Sequence, residues 1–246
     1  MSASALFFGK DNAMKNPIAK GYFTKTELIL WSVSSSCIII AFFIFGGSDI
    51  LSLTASLIGV TSILFSAKGN PAGPLLMIVF SLLYGYISFS FSYYGEMITY
   101  LGMTMPMSIF ALAAWLRNPY NGNRSEVRIG QISCRGEIIV ILLIAGAVTV
   151  LFFFILKAFN TANLIPSTLS VTTSFIAVFL TYRRISLFAL AYAANDLVLI
   201  ILWGLACTED SHYFSVLVCF CAFLVNDIYC YISWRKRKSL QIKAAE

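Results

Sequence analysis

The chain has 246 residues, of which 59% are hydrophobic and 11% are charged, whereas soluble domains carry about 25% charged residues. This composition excludes an ordinary soluble globular protein. Seventeen basic residues stand against eleven acidic ones, but the basic residues lie between hydrophobic runs, where they report membrane topology and not a nucleic-acid surface. We therefore predict an all-α polytopic membrane bundle that contacts the lipid bilayer and binds no nucleic acid.

Eight apolar runs are candidates for transmembrane helices, which need about 20 residues each. We number them as the first to the eighth span. They cover residues 28–45, 50–66, 74–91, 96–115, 138–156, 167–182, 187–205 and 213–233. Residues 1–27 and 235–246 are predicted to form tails outside the membrane, and the second of these tails is basic.

The distribution of charge predicts the orientation. With both termini in the cytoplasm, sixteen of the seventeen basic residues fall on the cytoplasmic side and only Lys157 falls outside. This is the bias that membrane insertion favours, and removing any one span would place later basic turns on the wrong side. The predicted outside turns carry the acidic residues Asp49, Glu96, Glu209 and Asp210.

Other features of the sequence agree with a multi-pass protein. Trp31, Trp115 and Trp234 fall at the predicted cytoplasmic ends of spans, where tryptophan commonly forms an interfacial belt. The N-terminal stretch contains no hydrophobic segment typical of a cleaved signal peptide, so we expect the tail to remain on the protein.

The residue types needed for several kinds of chemistry are missing from the spans. The six cysteines form no CxxC pair and read as small apolar packing residues. The single histidine, His212, falls in a predicted outside turn, so neither a histidine metal site nor a Ser-His-Asp triad is expected at depth. No span contains a lysine for a retinal-type Schiff base, and no glycine-rich phosphate loop is present. We expect no cofactor and no metal.

The spans contain an internal repeat. Spans two to four and six to eight share one plan: a Ser/Thr-rich helix, a basic turn, an aromatic-rich helix, an acidic turn, and a helix that ends in Trp and a basic residue. The fifth span, 138–156, restores the direction of the chain, so the repeats 50–117 and 167–234 are predicted to be parallel. The architecture is 1+(3+1+3), with 28–45 as an extra N-terminal span. Transporters with such repeats bind substrate near the midplane between them.

Polar side chains at depth mark a candidate site in the seventh span. A charged side chain at the bilayer centre costs about 2.5–3.5 kcal/mol on insertion scales and needs water or a partner. Helical spacing places five residues on one face: Tyr192, Asn195, Asp196, Leu199 and Trp203. The structural alternative is that these groups only hold helices together.

Three other spans contribute further candidates. The eighth span repeats the pair as Asn226-Asp227, and the third carries Tyr84 between Ser81 and Ser88. The fourth span has a polar stripe around Pro106 that consists of Tyr100, Thr104 and Ser108. Because no Arg, Lys or His lies at depth, a phosphorylated ligand should fit poorly. A flat, cationic ring could stack on Trp203, and hydroxyl or amide groups could bind Asn195.

Several short segments resemble the PnuC family of nicotinamide riboside transporters, over about residues 50–240. They are Ala67-Lys68-Gly69-Asn70, Tyr93-Tyr94-Gly95-Glu96-Met97, Met105-Pro106-Met107-Ser108-Ile109 leading to Trp115, and Asn226 ahead of Trp234. The resemblance implies a seven-helix core similar to that of SWEET sugar transporters, a homotrimer, and a bacterial inner-membrane location.

The resemblance also implies an activity. The family is thought to pass ribosides by facilitated diffusion, after which a cytoplasmic kinase phosphorylates and traps the product. Asn195 and Asn226 match family asparagines in the corresponding helices, whereas the first half departs from the pattern at Phe80 and Ala111. Two alternatives stay open: a transporter of another vitamin, nucleoside or sugar, and a membrane-embedded enzyme that uses Asp196 and Asp227.

Overall fold

The computed structural model describes residues 22–46, 50–90, 94–132, 134–161, 163–208 and 210–244. Two of the predicted outside acids, Asp49 and Glu209, lie outside the described residues, as do Tyr93 of the family-like turn and the N-terminal tail up to residue 21.

The described chain is almost entirely helical. Its helices are α1 (Lys25–Ala41, continued by a π-helical turn, Phe42–Gly46), α2 (Ile50–Ala67), α3 (Ala72–Ser90), α4 (Tyr94–Thr99, continued by a π-helical turn, Tyr100–Thr104), α5 (Met105–Leu116), α6 (Arg135–Ala158), α7 (Leu164–Tyr182), α8 (Phe188–Ala206) and α9 (Phe214–Lys243), with a 3₁₀ turn at Ser211–Tyr213.

Eight helices of the described chain are long and apolar enough to cross a membrane, with α4 and α5 forming one span. The predicted all-α, eight-span fold is therefore confirmed. Most boundaries lie within three residues of the sequence prediction, and the largest difference is at the end of the last helix. The last helix continues through the predicted basic tail to Lys243, and the first helix begins at Lys25, where the side chains of Thr24 and Glu27 form a capping box.

A small β-hairpin in the turn between the fourth and fifth spans was not predicted. Strands β1 (Pro119–Tyr120) and β2 (Asn123–Val127) pair antiparallel across Asn121-Gly122, both of which have positive φ, 48° and 75°. Asn-Gly is the sequence that favours this kind of two-residue turn. The hairpin packs onto the bundle, because Val127 is 1% exposed and its N–H donates to the Gly69 carbonyl at 2.9 Å.

The helices form two groups of three spans that meet along two seams. The first group consists of α2, α3 and the α4–α5 span, and the second consists of α7, α8 and α9. At the seams α2 packs against α9 and α5 packs against α7, so the first helix of each group contacts the last helix of the other. Helix α6 packs on α7, and α1 packs on α2 and α9. The seams enclose the space in which a ligand could lie.

Two tryptophans that the sequence suggested as interfacial belt residues lie in the core instead. Trp115 and Trp234 are both 0% exposed, and each has its indole N–H bonded to a backbone carbonyl across a seam. The belt interpretation is therefore wrong for these two. Position at the end of a hydrophobic run does not distinguish a lipid-facing indole from one that packs between helices. Trp31 is half-buried and donates to the Thr61 hydroxyl at 3.1 Å.

A buried ion pair attaches α1 to the bundle. The sequence placed Glu27 in the N-terminal tail and Lys68 in a solvated turn, yet Lys68 Nζ lies 2.7 Å from Glu27 Oε2 and the two side chains are only 9% and 2% exposed. Tyr229 of α9 donates to the other Glu27 oxygen at 3.2 Å. Lys68 thus stabilises the packing of α1 through Glu27, in addition to marking the orientation of the chain.

Glu96 also differs from its predicted position. The sequence assigned it to an outside turn, whereas in the structure it lies in the first turn of α4.

Candidate ligand-binding cavity

A cavity lies where the two helix groups meet, and residues from both groups line it. Aromatic and aliphatic side chains form most of its wall, and a smaller polar set gives it chemical character. The polar lining consists of Ser66, Tyr100, Thr104, Ser174, Tyr192, Asn195, Asp196 and Asp227. An apolar cavity with few convergent polar groups is the usual form of a small-molecule site.

Asn195 is held in one orientation by three hydroxyl groups of α7. Its Oδ1 accepts from Thr173 at 2.8 Å, from Ser174 at 3.0 Å and from Ser170 at 3.3 Å. The Ser/Thr-rich character of the sixth span is explained by this contact. Because the carbonyl oxygen is used by α7, the amide NH₂ of Asn195 is the group that can donate to a ligand in the cavity.

Asp196 and Asp227 bring two carboxyl groups to the same cavity. They lie on α8 and α9, are each 4% exposed, and both line the cavity. Asp196 Oδ2 is buried and has no hydrogen-bond partner among the described residues. No Lys, Arg or His is present among the described lining residues. The described lining therefore contains two carboxyl groups and no basic side chain.

The fourth span presents Tyr100 and Thr104 to the cavity through its π-helical turn. The wider turn closes with the Met105 N–H bonded to the Tyr100 carbonyl, and π-turns within α-helices occur often at functional sites. The Tyr100 ring packs at 4.6 Å, between centroids, from that of Tyr84 and at 5.8 Å from that of Phe80. Tyr84 thus supports the wall behind Tyr100 and does not line the cavity.

The structure separates Trp203 from the other predicted site residues. Trp203 does not line the cavity, although it shares α8 with Tyr192, Asn195 and Asp196. It packs against Tyr213 with ring centroids 5.4 Å apart, at the end of α8 next to the 3₁₀ turn. Two helical turns separate Asp196 from Trp203, enough to move the indole past the end of the cavity.

Asn226 also has a structural contact in place of a cavity position. Its amide donates to the Ser34 hydroxyl on α1 at 2.7 Å and to the Ala222 carbonyl at 2.8 Å. The neighbouring residue, Asp227, lines the cavity. Adjacent residues on a helix point about 100° apart, which explains why one member of the pair faces α1 and the other faces the cavity.

The sequence reasoning missed the aromatic part of the lining. Phe80 of α3, Phe188 of α8, and Phe220 and Phe223 of α9 line the cavity together with the small residue Gly59. Among 21 phenylalanines in an apolar chain, no local pattern distinguishes these four. Only Phe80 had a signal in the sequence, as the first-half position where the chain departs from the family pattern.

The cavity is narrow in this conformation. Its volume is about 50 Å³, enough for a few water molecules, whereas sites for drug-sized ligands measure about 300–1,000 Å³. The Phe223 ring lies 6.0 Å from Phe80 and 5.8 Å from Phe220, between centroids. Entry of a ligand larger than a few waters therefore requires these rings to move.

These features define a multi-pass helical membrane protein in which a mainly apolar cavity with a few polar groups lies between two three-span groups, the architecture of a small-molecule carrier. The family model described as nicotinamide mononucleotide transporter matches residues 49–236. The chain belongs to this family.

The chain is also similar to two known proteins, one in sequence and one in fold. A nicotinamide riboside transporter PnuC from Neisseria mucosa is 26% identical over 201 residues, which cover 79% of this chain and 75% of the relative. A crystal structure of the vitamin B3 transporter PnuC superposes with a TM-score of 0.75 at 22% identity, over 87% of this chain and 92% of that one. At this level of identity, the superposition on the crystal structure shows that the two chains share a fold.

Proposed function

We propose that this protein carries nicotinamide riboside across the bacterial inner membrane, with the cavity between the two three-span groups as the binding site. The observation that carries the proposal is the acidic lining of that cavity: Asp196 and Asp227 line it, and its described lining contains no cationic side chain. The transporter of Neisseria mucosa that the chain resembles is named for the same riboside.

The ligand's chemistry matches the cavity group by group. Nicotinamide riboside has a flat pyridinium cation, a carboxamide and ribose hydroxyls. The carboxylates Asp196 and Asp227 compensate the positive charge, and the NH₂ of Asn195 donates to an oxygen of the ligand. Tyr100 and Tyr192 offer aromatic faces in the cavity, the role that the sequence had suggested for Trp203.

The two carboxyl groups of the lining also favour the riboside over its 5′-mononucleotide, the compound for which the family is named. A phosphate group brings up to two negative charges, which would lie beside two buried carboxyl groups with no Lys, Arg or His in the described lining to neutralise them. Burying an unpaired charge is strongly unfavourable. The riboside is therefore the preferred ligand.

We further propose movement down a concentration gradient without chemical conversion. Asp196 and Asp227 could in principle act as an acid–base pair. The described lining, however, contains no Cys or His beside them, the described residues contain no group of three or more His, Cys, Asp or Glu that could hold a metal ion, and the family is one of transporters. A different vitamin, nucleoside or sugar is the alternative ligand class. A neutral sugar, however, would leave the two carboxyl groups without a counter-charge.

The surroundings of the carrier follow from charge and exposure. The positive-inside bias supports a cytoplasmic location for both ends of the chain, with the β-hairpin and the end of α9 on that side. Helix α6 has a broad apolar outer face that includes Leu143, Leu151 and Phe154, and the family resemblance suggests that protomers associate as trimers.

The chain is proposed to consist of four membrane units. They are the extra span 28–45, the first repeat 50–117, the linker helix 138–156 and the second repeat 167–234.

Calorimetry on purified protein tests the choice of ligand. Nicotinamide riboside should bind, and its 5′-mononucleotide should bind at least tenfold more weakly. The neutral nucleoside uridine, which shares the ribose but lacks the cationic ring, serves as the control and should also bind weakly. Equal affinity for the riboside and the mononucleotide would contradict the role assigned to the carboxylates.

A further inference from the structure

A groove lies at the end of the bundle that carries the β-hairpin, and it shares no lining residue with the cavity between the two helix groups. Its volume is about 650 Å³, within the range of about 300–1,000 Å³ that is usual for small-molecule sites. Three segments form its walls: residues 131–132 after the hairpin, residues 185–187 between α7 and α8, and residues 235–243 of α9. We call it the basic groove.

Three cations of α9 line the basic groove. They are Arg235, Lys238 and Lys243, and no ion pair among the described residues includes any of them. The described lining contains no Asp or Glu. The groove therefore has an uncompensated positive charge, which an anionic ligand would balance.

Acids on the neighbouring elements are engaged with other cations. Glu126 of the hairpin pairs with Arg237, and Glu137 in the first turn of α6 pairs with Arg183. Burial and two neighbouring arginines also lower the pKa of Arg184, which directly precedes the groove lining. Positive charge is thus concentrated at this end of the bundle.

Hydrogen bonds hold the walls of the groove together. The Gly130 N–H donates to the Arg184 carbonyl at 2.9 Å, which fixes the loop after the hairpin on the α7–α8 turn. The Ile129 N–H donates to the Gln241 side-chain oxygen at 2.9 Å, which fixes the same loop on α9. A Cβ at Gly130 would collide with the Arg183 carbonyl, so the close approach needs glycine. The groove is a feature of the fold.

An exposed apolar strip continues from the groove along the outside of the spans. On α9, Ile228 and Ile232 are exposed, and helical spacing places them on the same face as Arg235. At the start of α8, Leu187 lines the groove and Leu190 lies one turn further on, and both are exposed. Because α8 packs against α9, the two pairs lie side by side at the same end of the spans.

We propose that the basic groove binds the headgroup of an anionic phospholipid whose acyl chains lie on the apolar strip of α8 and α9. The three cations donate to the phosphate oxygens, and the hydroxyls of Ser186 and Ser239, which also line the groove, offer further donors. Basic groups at the ends of spans attract anionic headgroups in this way. The site is separate from the riboside cavity and does not depend on which ligand that cavity carries.

The position of the groove favours a lipid over a soluble phosphate compound. The outer face of α9 changes from Ile232 to Arg235 within one turn, which is the change from hydrocarbon to headgroup region that a bilayer presents. A soluble compound would use the cations and leave the strip without a role. Cations that only orient the chain need no groove around them.

Native mass spectrometry of the purified protein in detergent measures lipid binding directly. Phosphatidylglycerol and phosphatidylcholine with identical acyl chains are compared, and we expect phosphatidylglycerol to bind at least tenfold more tightly. Equal affinity for the two lipids would overturn the proposal. An excess of sn-glycerol 3-phosphate should leave phosphatidylglycerol bound, and displacement at comparable concentrations would assign the groove to soluble phosphate compounds instead.

A matched pair of variants places the lipid in the groove. Lys238→Gln should weaken binding of phosphatidylglycerol about fivefold, and Arg235→Gln/Lys238→Gln about 30-fold, with no change for phosphatidylcholine. Lys236→Gln removes the same charge from the same turn of α9, but Lys236 does not line the groove, so its affinity should stay within twofold of wild type. An equal loss in Lys236→Gln and Lys238→Gln would reduce the effect to general attraction by the basic tail and refute the site.

Thermal denaturation shows whether the lipid joins the three segments. A ligand that binds only the folded protein raises its melting temperature. Phosphatidylglycerol should therefore stabilise wild type and Lys236→Gln by several degrees, and it should leave Arg235→Gln/Lys238→Gln unchanged. The same rise with phosphatidylcholine, or in the double variant, would contradict binding at the groove.

Discussion

Trp115 and Trp234 lie against each other with indole centroids 5.4 Å apart, and each one ties the last helix of its own repeat to the first helix of the other. The Trp115 N–H donates to the Thr181 carbonyl at 2.8 Å, and the Trp234 N–H donates to the Ser66 carbonyl at 2.7 Å. The tryptophan of each repeat therefore bonds to the other repeat, and the two contacts are equivalent, as expected if the repeats are related by an approximate two-fold axis. Since Ser66 also lines the cavity, this tryptophan pair fixes one end of the binding site.

Trp234→Phe should lower the melting temperature of the purified protein measurably. The substitution keeps an aromatic ring but removes one hydrogen bond to the Ser66 carbonyl, which still accepts from the Gly69 N–H at 2.8 Å. A lost hydrogen bond costs about 0.5–1.5 kcal/mol, and the smaller ring also leaves unfilled space at a position that is 0% exposed. Trp31→Phe is the control, because Trp31 is only half-buried and the Thr61 hydroxyl it releases still donates to the Leu57 carbonyl at 2.7 Å. Equal shifts for the two variants would contradict a special role for the seam.

Lys68→Met should destabilise the protein strongly, since it leaves Glu27 buried without its cation. Removing one partner of a buried ion pair costs about 3–5 kcal/mol, whereas replacing both partners by apolar groups costs much less. Thermal denaturation of Lys68→Met, Glu27→Leu and the double variant completes a double-mutant cycle. Additive effects in the double variant would show that the two side chains do not stabilise each other.

Gly59→Ala should weaken riboside binding and lower stability, because a methyl group at this position collides with the Phe223 ring. Overpacking of this kind costs about 1–3 kcal/mol, and the displaced ring narrows an already small cavity. Gly146→Ala adds the same methyl group to α6, where nothing lies within 4 Å, and should change neither property. Adding Phe223→Leu to Gly59→Ala should restore binding in part. If it does not, the collision is not the cause.

Asn195→Ala should raise the Kd for the riboside by about 5- to 30-fold, which corresponds to about 1–2 kcal/mol for a lost hydrogen bond. The variant removes the amide donor and also leaves the α7 hydroxyls without their acceptor. Thr149→Ala removes a comparable contact between helices, the 2.7 Å hydrogen bond to Thr172 between α6 and α7, away from the cavity. Calorimetry should find Thr149→Ala close to wild type. A similar loss in both variants would indicate general loosening of the bundle.

The sequence predicts the spans well because the signal is strong and local. A run of apolar residues of membrane length has few other interpretations. A charged Asp196 in the middle of a span has a high free-energy cost whichever helices surround it, so it marks a candidate site from sequence alone. The predictions that concern which side chains meet are less successful. Trp203 has the correct helical spacing from Asp196, but spacing does not tell where the cavity ends along α8.

Contacts between distant segments could not be read from local pattern. The pairing of Glu27 with Lys68 joins two residues that each look solvated in the sequence, and Asn226 binds Ser34 across 192 positions. Phe223 reaches the cavity only because α9 crosses α2 at Gly59. Such contacts are set by the packing of the whole bundle, so they appear only in three dimensions.

The central claim is that this chain carries the riboside and rejects its phosphorylated form. Uptake of labelled nicotinamide riboside into vesicles that contain the purified protein, with unlabelled competitors in excess, measures both properties at once. We expect protein-dependent uptake that unlabelled riboside abolishes and that the 5′-mononucleotide leaves unchanged. Equal competition by the mononucleotide, or uptake no faster than in protein-free vesicles, would contradict the account.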